Sequence, residues 1–186
     1  MKETFSRLMK SEPVIATVKD LDNLDSAINS KCTVIFLLCG NIFNLKDIVE
    51  RVHEKKKMIF IHVDLIDGFS RDAMALKYIH EQIGPDGIIS TKNNQLKAAR
   101  ELGMLTVQRL FIIDSLSIQT TVKTSALIKP DAIEIMPGIM PKITKRLSEI
   151  IEVPVIVGGL VNEKEDIEKA IESGALGVST SCKELW

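Results

Sequence analysis

Aromatic residues are scarce in this sequence: six Phe, one Tyr and one Trp, 4% of 186 residues. Charge of either sign is not in excess, with 24 basic against 25 acidic side chains and a formal net charge of −1. Nucleic-acid binders usually carry a basic excess, because phosphate contacts supply much of their affinity. Composition therefore gives no support for an RNA or DNA partner, although a local patch fits within a neutral total. Cysteine is equally sparse. Cys32, Cys39 and Cys182 are odd in number and form no C-x-x-C pair, so neither a disulfide framework nor a zinc site is indicated. Cys32 and Cys39 bracket the apolar run from Thr33 to Leu38 and read as small core hydrophobes. No apolar run reaches the roughly 18 residues of a spanning helix, and Met1 to Phe5 shows no signal-peptide core. A cytoplasmic protein without a membrane segment is expected.

What is present is an ordinary globular balance, 45% hydrophobic and 26% charged, in a length typical of one domain. Eight β-type segments recur at even spacing: Val14 to Val18, Thr33 to Leu38, Met58 to Val63, Gly87 to Ser90, Met104 to Phe111, Ala132 to Met136, Val153 to Val157 and Ala175 to Ser179. Most are continuous apolar runs, the pattern of parallel strands covered on both faces. Helical spacing fills the gaps. Leu21, Leu24 and Ile28 share a face, as do Leu45, Ile48, Val49 and Val52 behind Asn44. Arg71 to Ile83 stops at Gly84-Pro85, and Asn94 to Leu102 at Gly103. Asn162 with Glu165 resembles a capping box for a helix running to Glu172. Strict alternation without a linker predicts a single α/β domain over residues 1–186, a compact (β/α)8 TIM-type barrel with short loops and helices. An open doubly wound sheet is the structural alternative.

Such barrels bind ligands at the carboxyl ends of their strands. Gly158-Gly159 ends the seventh strand and Ser179-Thr180-Ser181 the eighth. Glycine lets a backbone approach a ligand closely, and these two loops are the usual phosphate site of the fold. The candidate phosphate-binding residues are Gly158, Gly159, Ser179 and Thr180; against this, the glycines can be mere turn formers. Asp64 and Glu134 end the third and sixth strands and are placed to face one another across the mouth, where carboxylates accept hydroxyl hydrogen bonds or act as acid and base. Lys19 and Arg109 can balance them or neutralise a ligand anion. Equally, these four can form a buried ion-pair network that orders the barrel top. His62 reads as a core histidine, His53 and His80 as surface residues, and no spacing suggests a metal or other cofactor. The run Glu54-Lys55-Lys56-Lys57 sits at the opposite end and reads as a solvated helix terminus, though it is the one basic run available to a nucleic acid.

Several motifs carry a family resemblance. Ile61-His62-Val63-Asp64-Leu65-Ile66-Asp67-Gly68-Phe69-Ser70-Arg71-Asp72 resembles the third-strand signature of the glycerol uptake operon antiterminator regulatory proteins. Pro85-Asp86-Gly87-Ile88-Ile89-Ser90-Thr91-Lys92 and Gln108-Arg109-Leu110-Phe111-Ile112-Ile113-Asp114-Ser115 resemble the same family. So do Lys129-Pro130-Asp131-Ala132-Ile133-Glu134-Ile135-Met136-Pro137-Gly138, Gly158-Gly159-Leu160, Val178-Ser179-Thr180-Ser181 and the terminal Leu185-Trp186. Met136 before Pro137-Gly138 and Val157 before the glycine pair are mild departures that remove no polar group. The resemblance implies a barrel and a bacterial regulator that responds to glycerol-3-phosphate and prevents premature termination on the leader mRNA of a glycerol operon. It implies phosphate on Gly158, Gly159, Ser179 and Thr180, with the glycerol hydroxyls toward Asp64, Glu134 or Lys19. The RNA step rests on the resemblance alone. Two other classes stay open: an enzyme acting on a small phosphorylated polyol or sugar, since this fold often hosts catalysis, and an interaction module with a vestigial mouth. Oligomeric state is not legible, and a homo-oligomer remains open.

Overall fold

The computed structural model describes all 186 residues. Eight parallel strands close a barrel in sequence order: β1 (Val14–Val18), β2 (Val34–Leu37), β3 (Met58–His62), β4 (Gly87–Ser90), β5 (Leu105–Phe111), β6 (Ala132–Met136), β7 (Val155–Gly158) and β8 (Gly177–Thr180). Closure comes from β1 on β8, with Ile15 opposite Ser179. Helices α2 (Leu24–Asn29), α3 (Leu45–Glu54), α4 (Ala73–Tyr78), α5 (Asn93–Glu101), α6 (Ser115–Ile128), α7 (Pro141–Ile150) and α8 (Lys164–Glu172) follow the first seven strands, and α1 (Lys2–Ser11) precedes them all. The barrel expectation holds.

Alternate residues of each strand serve two cores, which is why the strands read as unbroken apolar runs. Ile15, Phe36, Phe60, Val107 and Ile156 fill the barrel interior. Ala16, Ile35, Ile59 and Ile61 face the helices α2 to α5, and Ile133, Ile135, Val157 and Val178 face the far side. Sequence reasoning assigned no helix to the first residues. There, α1 lays Phe5 and Met9 into the interior cluster, with the Phe5 and Phe60 rings 5.0 Å apart. The helix stoppers the amino-terminal end of the barrel. Gly177 makes room for it, since a side-chain carbon there would lie 2.3 Å from Met9 Cε.

Other departures are local. After β8 the structure shows a single 3-10 turn over Lys183–Leu185. The α8 capping box uses Glu163 and Asp166 rather than Asn162 and Glu165. Asp72 caps α4, accepting from Ala75 N–H, and that helix ends in one wide turn over Ile79–Ile83. Lys57 is not solvated. Its ammonium donates to the carbonyls of Ala27, Ser30 and Cys32 at 3.3, 2.7 and 2.6 Å, and burial lowers its pKa.

Candidate functional site

Two residues beyond each interior apolar position the side chain points the same way. From Ile15, Phe36, Phe60, Val107 and Ala132 those next positions are Thr17, Leu38, His62, Arg109 and Glu134, so the interior turns largely polar as it reaches the mouth. Arg109 Nε donates to Glu134 Oε2 at 2.6 Å and Ser179 Oγ to Glu134 Oε1 at 2.5 Å. All three side chains are buried. Gly158 is obligatory here: a side-chain carbon would lie 2.2 Å from Ser179 Oγ and 2.7 Å from Glu134 Oε1. A buried carboxylate is tolerable because both its oxygens are partnered and a guanidinium balances its charge.

Above this network lies a cavity of about 180 Å³ lined by Thr17, Lys19, Arg109, Gly159, Leu160 and Ser181, among others. Lys19 is exposed on its rim and forms no ion pair. The N–H groups of Gly159, Leu160, Val161 and Ser181 donate no hydrogen bond within the protein. Gly159 and Leu160 have consecutive φ of 78° and 62°, a left-handed turn in the wall of the cavity. A guanidinium, an ammonium and free N–H groups thus meet at one opening. A cleft of about 170 Å³ between α6 and α7, lined largely by apolar side chains with Lys129 and Glu152, offers no such convergence.

The structure divides the residues singled out from sequence. Gly159, Ser179, Thr180, Lys19, Arg109 and Glu134 line the cavity, with Gly158 beneath Ser179 and Glu134. The two hydroxyls, however, are already committed. Ser179 donates to Glu134, while Thr180 Oγ1 donates to Val161 O at 2.8 Å and accepts from Cys182 N–H at 3.0 Å. They shape the loops; the unpaired donors there are backbone groups. Asp64 is not part of the cavity lining. Its Oδ2 accepts from Ser90 Oγ at 2.8 Å and Thr91 N–H at 3.0 Å, with Lys92 Nζ 3.8 Å from Oδ1. Burial opposes its ionisation, but the Thr91 and Ser90 hydrogen bonds, with His62 and Lys92, outweigh it and lower the pKa.

His62 is 3% exposed. Burial first and Arg109 second push its pKa from 6.5 down to about 4, against the pull of Asp64. It is therefore neutral at pH 7. Sequence reasoning passed over Thr17, whose Oγ1 is buried without a hydrogen-bond partner, in the wall of the cavity. The alternation from Ile15 was the signal that places it inward. No three His, Cys, Asp or Glu side chains converge as a metal site.

A family model described as glycerol-3-phosphate responsive antiterminator matches residues 14–186. The chain belongs to that family. Uncharacterized protein YgcP of Escherichia coli (strain K12) is 43% identical over 179 residues, 96% of this chain and 94% of that one. A solved glycerol uptake operon antiterminator regulatory protein from Listeria monocytogenes is similar at TM-score 0.89 and 33% identity, over 94% of this chain and 95% of that one. A glycerol uptake operon antiterminator-related protein from Thermotoga maritima matches at TM-score 0.80 and 28% identity, over 93% and 96% of the two chains. The antiterminator family thus covers the barrel from β1 to the last residue, mouth loops included. No helix is long and apolar enough to cross a membrane.

Proposed function

We propose that this chain is a glycerol-3-phosphate-responsive antitermination regulator that binds its effector in the β7–β8 cavity and acts on the leader mRNA of a glycerol uptake or catabolism operon. The presence of Arg109 and the unpaired N–H groups of Gly159 and Leu160 in one cavity lining supports this reading most directly. A phosphate carrying close to two negative charges at pH 7 finds donors there without a metal ion. The Arg109 guanidinium is aimed by its Nε bond to Glu134, which leaves its terminal nitrogens free of any protein hydrogen bond. Thr17 Oγ1, unpartnered in the same wall, is placed to meet a glycerol hydroxyl.

The reading is of a sensor rather than an enzyme. Neither carboxylate is turned toward the cavity as a free base: Glu134 is held by Arg109 Nε and Ser179 Oγ, and Asp64 stands outside the cavity lining. The working place is the cytoplasm, where the leader transcript is made. In transcription through the leader terminator of a glycerol operon, the protein should raise readthrough only when glycerol-3-phosphate is present. The effector should be recovered unchanged. Readthrough that ignores the effector, or conversion of the effector to another compound, would overturn this function.

A further inference from the structure

Inside a barrel of this kind the side chains form layers, each built from alternate strands. Once the tilt of the strands is allowed for, the ladder registers put Ile15, Phe60, Val107 and Ile156 of β1, β3, β5 and β7 in one layer. All four belong to the apolar interior cluster. Two residues further along the same strands, the next layer toward the mouth is Thr17, His62, Arg109 and Gly158. Apolar gives way to polar in a single step. Gly158 brings no side chain, and its place is filled by the hydrogen bond from Ser179 to Glu134, which come from the strands on either side of β7.

Two polar atoms of this layer have no partner. Thr17 Oγ1 and His62 Nδ1 are buried without a hydrogen bond, on residues only 5% and 3% exposed. An unpaired buried polar atom is costly, and native proteins keep few of them. Thr17 and Arg109 line the effector cavity, as does Leu38 of β2. Around the layer, His62 stands between Thr17 and Arg109. The other atoms of this kind are scattered. Thr33 lies at the sealed end, Ser148 on α7, and Gln108 on the helix-facing side, where its Nε2 donates to Asn93. Asp64 Oδ1 has Lys92 Nζ 3.8 Å away. Only Thr17 and His62 share a layer with a cavity-lining cation.

The chemistry of the two groups names their partner. Neutral His62 offers one ring nitrogen as donor and the other as acceptor, and the Thr17 hydroxyl does both. Neither carries charge. The one cation of the layer, Arg109, is already paired with Glu134 at 2.6 Å, and the ionised Asp64 places Oδ2 3.9 Å from His62 Nδ1. A ligand carboxylate at this level would meet two carboxylates and no uncommitted cation. A bare alkyl end would leave both polar atoms unpaired. An uncharged hydroxyl suits both.

We infer that Thr17 and His62 form the hydroxyl-reading half of the effector site: with the phosphate at the β7–β8 loops, the polyol end of the effector points down the barrel axis into the layer of Arg109, where Thr17 Oγ1 and His62 Nδ1 each take a hydroxyl. This rests on the phosphate-effector reading above and adds what sets its specificity. The ligand class is a short phosphate ester whose carbons carry uncharged hydroxyls. Alkyl phosphates fail for want of hydroxyls, and phosphorylated hydroxy acids fail for their second anion. His62, which sequence reasoning assigns to the core, is a specificity-determining residue.

The experiment compares three ligands on the full chain by calorimetric titration: glycerol-3-phosphate, n-propyl phosphate, which has the same carbon chain without hydroxyls, and 3-phosphoglycerate. Wild type should prefer glycerol-3-phosphate to propyl phosphate on the order of 5- to 150-fold, and should bind 3-phosphoglycerate on the order of tenfold or more weakly than glycerol-3-phosphate. Thr17→Val and His62→Phe should each shrink the first ratio, and the double variant should bring it close to one. Thr17→Ser, which keeps the hydroxyl, should keep the preference. The ratio is taken within each variant, so a general loss of stability does not imitate the effect, and thermal melts show that each is folded. If His62→Phe does not fold, the Thr17→Val and Thr17→Ser pair decides. An undiminished preference in Thr17→Val, a wild type that binds propyl phosphate as tightly as glycerol-3-phosphate, or equal affinity for 3-phosphoglycerate overturns the inference and leaves the phosphate site standing. A folded wild type that binds none of the three overturns the effector reading as well.

Discussion

Arg109 and Glu134 form a buried pair beneath the cavity, Nε to Oε2 at 2.6 Å, in which the carboxylate holds the guanidinium and the guanidinium makes the buried carboxylate tolerable. Removing one partner strands the other. Arg109→Met should cost about 3–5 kcal/mol of stability and weaken glycerol-3-phosphate binding at least tenfold. The double variant Arg109→Met/Glu134→Leu should regain much of that stability in urea unfolding but none of the affinity. Recovery of affinity in the double variant would remove Arg109 from the anion site.

Gly158 gives a second, purely steric test. A methyl group there meets Ser179 Oγ at 2.2 Å and Glu134 Oε1 at 2.7 Å, so Gly158→Ala should cost about 1–3 kcal/mol and impair effector binding. Gly103→Ala is the control, with a φ of 82° but nothing within 4 Å of the added carbon. It should cost only about 1 kcal/mol of backbone strain and leave binding intact.

His62 makes stability pH-dependent with a definite sign. In the unfolded chain it takes up a proton as the pH falls through 6.5, whereas burial and Arg109 delay this to about 4 in the folded protein. The unfolded state therefore binds more protons between those values. The stabilisation is fully present above pH 6.5 and is lost as the pH falls to 4, on the order of 3 kcal/mol in all. His62→Phe should flatten this part of the profile in urea titrations from pH 7 to 4. An unchanged slope would mean that the imidazole titrates alike in both states.

The barrel was legible because its eight strands are buried on both faces and so read as uninterrupted apolar runs. Strand ends drifted by a residue or two where polar neighbours blur them, as at Val153, which precedes β7 (Val155–Gly158). The α1 stopper carries a helical stripe in Phe5, Leu8 and Met9, but that it closes the amino-terminal end of the barrel is a tertiary fact. At the site, charge and glycine marked Lys19, Arg109, Glu134, Gly158 and Gly159. That Ser179 and Thr180 spend their hydroxyls on Glu134 and Val161 is a tertiary fact, as is the diversion of Asp64 to Ser90 and Thr91. Free N–H groups carry no side-chain signature at all.

The stopper also makes a prediction. Phe5 is buried against Phe60, so Phe5→Ala should cost about 3–5 kcal/mol. Effector affinity, measured where the variant is still folded, should be unchanged, since α1 closes the end opposite the cavity. A matching loss of affinity would show that the two ends of the barrel are coupled.

The central claim, a phosphate-selective effector site at the β7–β8 mouth, is tested most directly by calorimetric titration of the wild-type protein with glycerol-3-phosphate, beside glycerol and inorganic phosphate. One-to-one binding to glycerol-3-phosphate, much tighter than to either fragment and lost in Arg109→Met, is the predicted result. A folded protein that releases no heat with glycerol-3-phosphate, or that binds glycerol as tightly as its phosphate ester, would contradict the account.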